Sequence, residues 1–336
     1  MKISFLLVFS AFILSCNSPQ KMVAQKKTNL DYSKTIKAKD LKKHLYIYAG
    51  DEMEGRMTGE KGQKLAAEYL RNFYMDAGVA SPFEKNNYYQ TIPTSFFEGR
   101  VDPKPSENIV AYIKGSEKPD EVIVISAHLD HVGVDKEGNV FNGADDDGSG
   151  TVALLEMAEA FQKAVRDGYG PKRSILFLHV TGEEIGLFGS RYYTDNPIFP
   201  LENTVCNLNV DMIGRIDPQK IDNPNYLYLI GSNKLSQELQ DVSEEVNEKY
   251  INMELDYRYD DSNDPNRFYY RSDHYNFAKH NVPIIFYFNG VHEDYHKITD
   301  TPDKIEYDLL EKRTQLIFLT AWEIANREER ITADKL

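Results

Sequence analysis

Cysteine is nearly absent from this 336-residue chain, which has only Cys16 and Cys206. Cys16 ends a short apolar leader, so the body that follows keeps Cys206 alone and has no intramolecular disulfide to stabilise it. Basic charge is also short: 39 Lys and Arg face 53 Asp and Glu, a formal net charge of -14, with no basic stripe along the chain. That balance excludes a nucleic-acid partner, because phosphate recognition needs concentrated cations. Long hydrophobic runs are missing as well. The apolar stretch from Ile3 to Leu14 covers twelve residues, too few to cross a bilayer as a helix. No internal repeat or second domain is evident.

The leader itself is informative. One Lys precedes the apolar run, and Ile13, Leu14, Ser15 and Cys16 resemble a bacterial lipobox, in which Cys16 is lipidated and becomes the first residue of the mature protein. Residues 1–16 are expected to be a lipoprotein-type signal peptide. The protein is therefore expected to be exported and held on a bacterial membrane, facing periplasm or exterior; an ordinary signal peptide would make it secreted. Residues 17–29, polar and Lys-rich, read as a flexible tether. Residues 30–336 read as one large domain, whose 41% hydrophobic and 12% aromatic content, with 22 Tyr and 17 Phe, suits a packed core.

Within that domain, apolar residues recur at helical spacing over Lys37 to Tyr48 and Gly62 to Gly78, with Gly78 as a stop signal. Strands are expected over Asn108 to Lys114, Glu121 to Ala127, Ser174 to Thr181, Asn203 to Met212, Tyr226 to Gly231 and Pro283 to Phe288. Helices are expected over Gly148 to Val165, Glu184 to Tyr193, Ser236 to Tyr250, Asp273 to His280 and Leu309 to Arg327. This alternation predicts an α/β fold, a single domain with a central, mostly parallel or mixed sheet flanked by helices. Ligands in such folds collect at the carboxyl ends of strands.

The acidic motifs fall at those ends. His128 and Asp130 follow the strand EVIVISA, two residues apart and able to face one crevice. A His in such a place ligates metal while a carboxylate orients its other ring nitrogen. Asp145, Asp146 and Asp147 crowd the turn before a helix, where their mutual repulsion calls for a cation. Glu183 and Glu184 follow the run SILFLHVTG, so that one can bind metal while its neighbour moves a proton. Asp211 ends CNLNVDM, where an acid after apolar residues needs a partner. His296, in a polar loop after PIIFYF, is the natural last ligand. His44, His179 and His280 read as packing or surface residues, and His131, His274 and His292 as pocket residues without metal.

In that order, HLD, GADDDGSG, TGEEIGLFGS, VDMIG, RSDH and YHKITDT resemble family twenty-eight of the metallopeptidases, the co-catalytic di-zinc aminopeptidases. The likeness runs roughly from Asp40 to Trp322, with too little room for the protease-associated domain of some relatives. It implies two Zn2+ ions, one held by His128 and Asp211, the other by Glu184 and His296, with Asp146 bridging. It further implies Glu183 as general base and acid, a hydroxide shared between the metals, Asp130 as partner of His128, and Asp147 following a cis peptide. Tyr295 would donate to the oxyanion, and Arg271 would border the substrate amine. The implied substrates are peptides with a free N-terminus. A glutaminyl cyclase-like acyltransferase and a noncatalytic binding protein share the fold; the intact ligand set and base favour the peptidase.

Overall fold

The computed structural model describes residues 27–84, 86–100 and 104–335. The expected signal peptide and lipobox, Cys16 and most of the expected tether lie outside the described residues. The last tether residues belong to the packed body, because Thr28 caps a helix starting at Asn29.

Eight helices and eight strands recur through the described chain. The helices are α1 (Asn29–Ser33), α2 (Ala38–Tyr48), α3 (Lys61–Ala77), α4 (Gly150–Arg166), α5 (Phe188–Asp195), α6 (Gln237–Val246), α7 (His274–Ala278) and α8 (Tyr307–Asn326). The strands are β1 (Tyr89–Ile92), β2 (Ser106–Ile113), β3 (Lys118–His128), β4 (Arg173–Val180), β5 (Thr204–Val210), β6 (Tyr226–Ile230), β7 (Glu254–Asp256) and β8 (Ile284–Phe288). They form one mixed sheet in the order β1-β2-β4-β3-β5-β8-β6-β7. At its centre β4, β3, β5 and β8 run parallel, and the flanking β2 and β6 run antiparallel to them.

Parallel central strands need both faces covered, which is why they read as continuous apolar runs. Ile123, Ile125 and Ala127 of β3 face the larger core with α2, α4 and α8, while Val122 and Val124 face a smaller one with Tyr193 of α5 and Phe277 of α7. The chain's single Trp, Trp322, stacks on Phe161, whose ring also meets Phe318, tying α8 to α4. Gly78 ends α3 in the left-handed conformation, φ 72°, as its sequence position predicted. The helix expected from Glu184 starts only at Phe188, because residues 183–187 form a tight turn with Leu187 at φ 58°.

One buried acid in α4 carries a pH signature. Glu156 is 4% exposed, and its nearest basic neighbour, His44 Nε2, stands 3.7 Å away with a pKa lowered by burial. Burial, reinforced by Asp40 and Glu159, pushes the Glu156 carboxyl up to about 8 from an ordinary 4.5. The unfolded chain releases that proton near 4.5 and the folded chain near 8, so stability is lost as pH rises through this window and is untouched below it. Glu156→Gln should therefore stabilise the fold at pH 8 by on the order of 1–3 kcal/mol. Thermal melts of the two proteins should converge as pH falls toward 4.5; a constant gap between them would contradict this account.

Candidate metal centre

Because β4, β3, β5 and β8 are parallel neighbours, their carboxyl ends lie along one edge of the sheet. The residues leaving those ends are Glu183 and Glu184 after β4, His128 to His131 at the end of β3, Asp211 after β5, and the loop holding Tyr295 and His296 after β8. Sequence-distant acids meet here because the strand order places them side by side.

The turn before α4 brings in the aspartates. Gly143 enters it at φ 54°; a Cβ there would lie 2.3 Å from the Asp146 carbonyl and 2.5 Å from the His131 ring, so only glycine fits. The buried Arg56 donates to the carbonyls of Asn142, at 2.7 Å, and Gly143, at 2.8 Å, fixing the turn's approach. The Asp146–Asp147 peptide is cis.

The three aspartates then divide their tasks. Asp145 accepts from Gly214 N at 2.6 Å and stands 3.1 Å from His292 Nε2. Asp147 accepts from His128 N at 3.0 Å, Gly150 N at 2.9 Å and Met212 N at 3.2 Å, so its oxygens are spent on backbone although they lie close to His128 and Asp211. Asp146 alone turns both oxygens inward. Asp300 holds it there by accepting from the amides of Asp145 and Asp146.

Around Asp146 the donor atoms fall into two sets. Its Oδ1 lies 3.0 Å from His128 Nε2, which is 3.6 Å from Asp211 Oδ1. Its Oδ2 lies 3.0 Å from His296 Nε2, itself 3.0 Å from Glu184 Oε2. The structure thus gathers all five expected ligands about one carboxylate. His128 Nε2, Asp146 Oδ2 and Glu184 Oε1 are buried without any hydrogen bond among the described residues. Buried polar atoms are normally satisfied, and these converge as N and O donors of the kind that suit zinc. The electrostatics agree. Burial opposes charge on His296, yet Asp146 and Glu184 raise its pKa to about 10; a field that holds a proton so firmly on an imidazole favours a divalent cation in its place.

One expectation needs correction. Asp130 was expected to orient His128 through its carboxylate, but His128 Nδ1 lies 3.0 Å from the Asp130 carbonyl and 3.9 Å from its Oδ1. The carboxylate instead accepts from Thr58 Oγ1 at 2.7 Å and Glu183 N at 3.2 Å, anchoring the turn after β4. His131, read as a pocket residue to which no metal is assigned, lies beside the cluster, its Nδ1 2.7 Å from Glu184 Oε1 and both its ring nitrogens buried without a hydrogen bond among the described residues. Its proximity in sequence to His128 was the available signal.

A polar ladder supports Asp211 from below. Asn207 Nδ2 donates to Ser126 Oγ at 2.8 Å, Ser126 to Asn209 Oδ1 at 2.7 Å, Asn209 Nδ2 to Ser272 Oγ at 2.8 Å, and Ser272 to Asp211 Oδ2 at 2.5 Å. Alternation in NLNVD puts Asn207, Asn209 and Asp211 on one face of β5 and its extension.

Beside the cluster opens a small cavity lined by Asp146, Glu183 and Asp211 together with Met212, Phe268, Phe286 and Phe288. The Glu183 carboxylate takes no hydrogen bond from the described residues. Burial pushes it well above its ordinary range, with His128 opposing and Glu184 and Asp211 adding to the rise. Tyr295 stacks on His296, ring centroids 3.9 Å apart, and burial raises its phenol so that it remains a donor. Arg271 lies at the rim, 3.5 Å from the Tyr295 hydroxyl and over the Phe268 ring.

This architecture recurs in solved proteins. A zinc aminopeptidase from Bacillus subtilis superposes with a TM-score of 0.67 at 16% identity, covering 89% of this chain and 98% of that one. A Porphyromonas gingivalis glutaminyl cyclase superposes with a TM-score of 0.67 at 18% identity, covering 85% and 98%. At such identities the likeness is one of fold. Among sequences, a probable glutamate carboxypeptidase, AMP1, of Arabidopsis thaliana is 29% identical over 139 residues, 41% of this chain and 19% of the relative. The aminopeptidase NAALADL1 of Mus musculus is 33% identical over 115 residues, 34% of this chain and 14% of the relative. The matched stretch spans less than a fifth of the length of either. The peptidase family M28 model matches residues 108–321, the stretch from β2 through most of α8 that contains every residue of the metal cluster. The chain belongs to peptidase family M28.

Proposed function

We propose that this peptidase is an aminopeptidase that uses two zinc ions to remove the first residue of peptides with a free α-amine. The observation that carries the reading is the division of donors about Asp146: Oδ1 faces His128 and Asp211, and Oδ2 faces His296 and Glu184. His128 and Asp211 would hold one ion, Glu184 and His296 the other, and Asp146 both. Such a pair of ions supplies Lewis acidity, polarising the substrate carbonyl and making water acidic enough to lose a proton near neutral pH.

The protein's own groups supply the rest. Glu183, unpaired at the cavity wall, takes the proton of the attacking water and returns it to the leaving amine, a contribution of roughly 10² to 10⁴ in rate. Its raised affinity for a proton suits both halves of that exchange. Tyr295 lines the cavity, where its hydroxyl would donate to the oxyanion that develops on the carbonyl. Carboxylates around the ions would receive the α-amine, and the Phe268, Phe286 and Phe288 wall would receive the first side chain. The proposal extends to location. Cys16 would carry a lipid that anchors an exported protein to a bacterial membrane; among the described residues no helix is long and apolar enough to cross one.

Chelator-sensitive hydrolysis of free-amine, but not blocked, aminoacyl amides by protein lacking residues 1–16 is the expected result, and cyclisation of N-terminal glutamine without hydrolysis would favour an acyltransferase instead. Glu183→Ala should lose turnover by at least about 10² while keeping its zinc, as counted by elemental analysis. Asp146→Ala should lose both, and normal turnover in Glu183→Ala would refute the mechanism. Ser272→Ala, which removes the donor to Asp211, should weaken zinc affinity by about 10- to 100-fold in competition with a chromogenic chelator. For the anchor, Cys16→Ala in the full chain should move the protein from the membrane fraction to the soluble one.

A further inference from the structure

Arg271 is the sole cation among the residues that line the cavity beside the metal cluster. Among the described residues its guanidinium has no carboxylate partner, although acids crowd the cavity floor. Its contacts are the Tyr295 hydroxyl at 3.5 Å, a long and weak hydrogen bond, and the Phe268 ring, with 5.0 Å to the centroid. Arg215, by contrast, lies 2.9 Å from Asp294 and 3.3 Å from Glu293.

Its backbone is not free to wander. Ser272, the next residue, is bound to Asp211, and the buried Asp273 accepts from Ser190 and precedes α7. The backbone of Arg271 is therefore anchored beside the cluster, and its exposed side chain lies over the Phe268 ring. Phe268, Arg271, Val291 and Tyr295 also line a second cavity of about 310 Å³, so Arg271 borders both. A guanidinium repels an α-amine. Its planar fork of N–H donors matches a carboxylate instead.

We propose that Arg271 reads a carboxylate on the substrate, so that this peptidase favours peptides bearing a negative charge within one residue of the bond it cuts. The identity of that bond rests on the aminopeptidase reading; the pairing does not. Two parts of a peptide supply the group: an acidic first side chain, or the C-terminal carboxylate of a dipeptide.

The test measures binding apart from turnover. Zinc-loaded Glu183→Gln protein is titrated calorimetrically with two matched pairs, Glu-Ala-amide against Gln-Ala-amide and Leu-Ala against Leu-Ala-amide. In one pair the carboxylate-bearing member should bind about 10- to 100-fold more tightly, the range of a charged hydrogen-bonded contact. Preference in the first pair identifies the side chain as the source, and preference in the second the C-terminus. Adding Arg271→Gln should bring that ratio to within about twofold, whereas Arg271→Lys, which keeps the charge without the fork, should retain part of it. Equal binding or no binding in both pairs overturns the proposal, as does a preference undiminished in Arg271→Gln. The aminopeptidase reading fails separately, if wild-type protein hydrolyses none of the four compounds.

Discussion

Negative charge buried beyond what the protein's own cations neutralise is the constraint on which this structure turns. Asp130, Asp145, Asp147, Asp211, Asp273 and Asp300 all lie almost out of water within one edge of the sheet, with Asp146 among them. Burial of a carboxylate is unfavourable unless hydrogen bonds or cations answer it. Most of these acids are answered, at least in part, by backbone amides and hydroxyls, while Asp145, Asp146, Asp273 and Glu184 each keep an oxygen that is not. Those on Asp146 and Glu184 face His296 and His131 within the cluster.

That arrangement depends on topology. Reordering the central strands would scatter Glu183, His128 and Asp211, and no local rearrangement of their loops would restore the geometry. The turn at Gly143 to Gly150 is equally demanding, since Arg56 comes from a segment before α3 and Asp300 from one before α8. Chain regions far apart in sequence close on a single carboxylate, so metal-site geometry and global fold are one property here rather than two.

Much of this was legible beforehand because charged residues that end apolar runs are rare without a purpose. His128, Glu183, Glu184 and Asp211 announced themselves in that way, Asp146 by the crowding of three adjacent aspartates and His296 by its polar loop and the family resemblance, and the structure brings them together. Less was legible where the determining contact is remote. Nothing around Tyr89 to Ile92 marks it as an edge strand, which forms because β2 offers it a partner. The delayed start of α5 follows from the turn at Glu183, whose conformation overrides good helical periodicity. The task of Asp130 could not be read from HLD, because spacing cannot say whether a carbonyl or a carboxylate will face the imidazole. Asn207 and Asn209 are polar residues within a buried strand, and their partners Ser126 and Ser272 lie on other elements.

Those asparagines give the ladder a direction. An amide nitrogen can donate but not accept, so Asn207 at the bottom compels Ser126 to pass its own proton upward, Asn209 to present its oxygen below and its nitrogen above, and Ser272 to do the same as Ser126. Every dipole in the series therefore points its positive end at Asp211 Oδ2, and none can reverse without leaving a buried donor facing a donor. The hydrogen donated by Ser272 fixes which oxygen of Asp211 is occupied, so the interior of β5 sets the orientation of a residue at the sheet's edge and leaves its other oxygen turned toward His128.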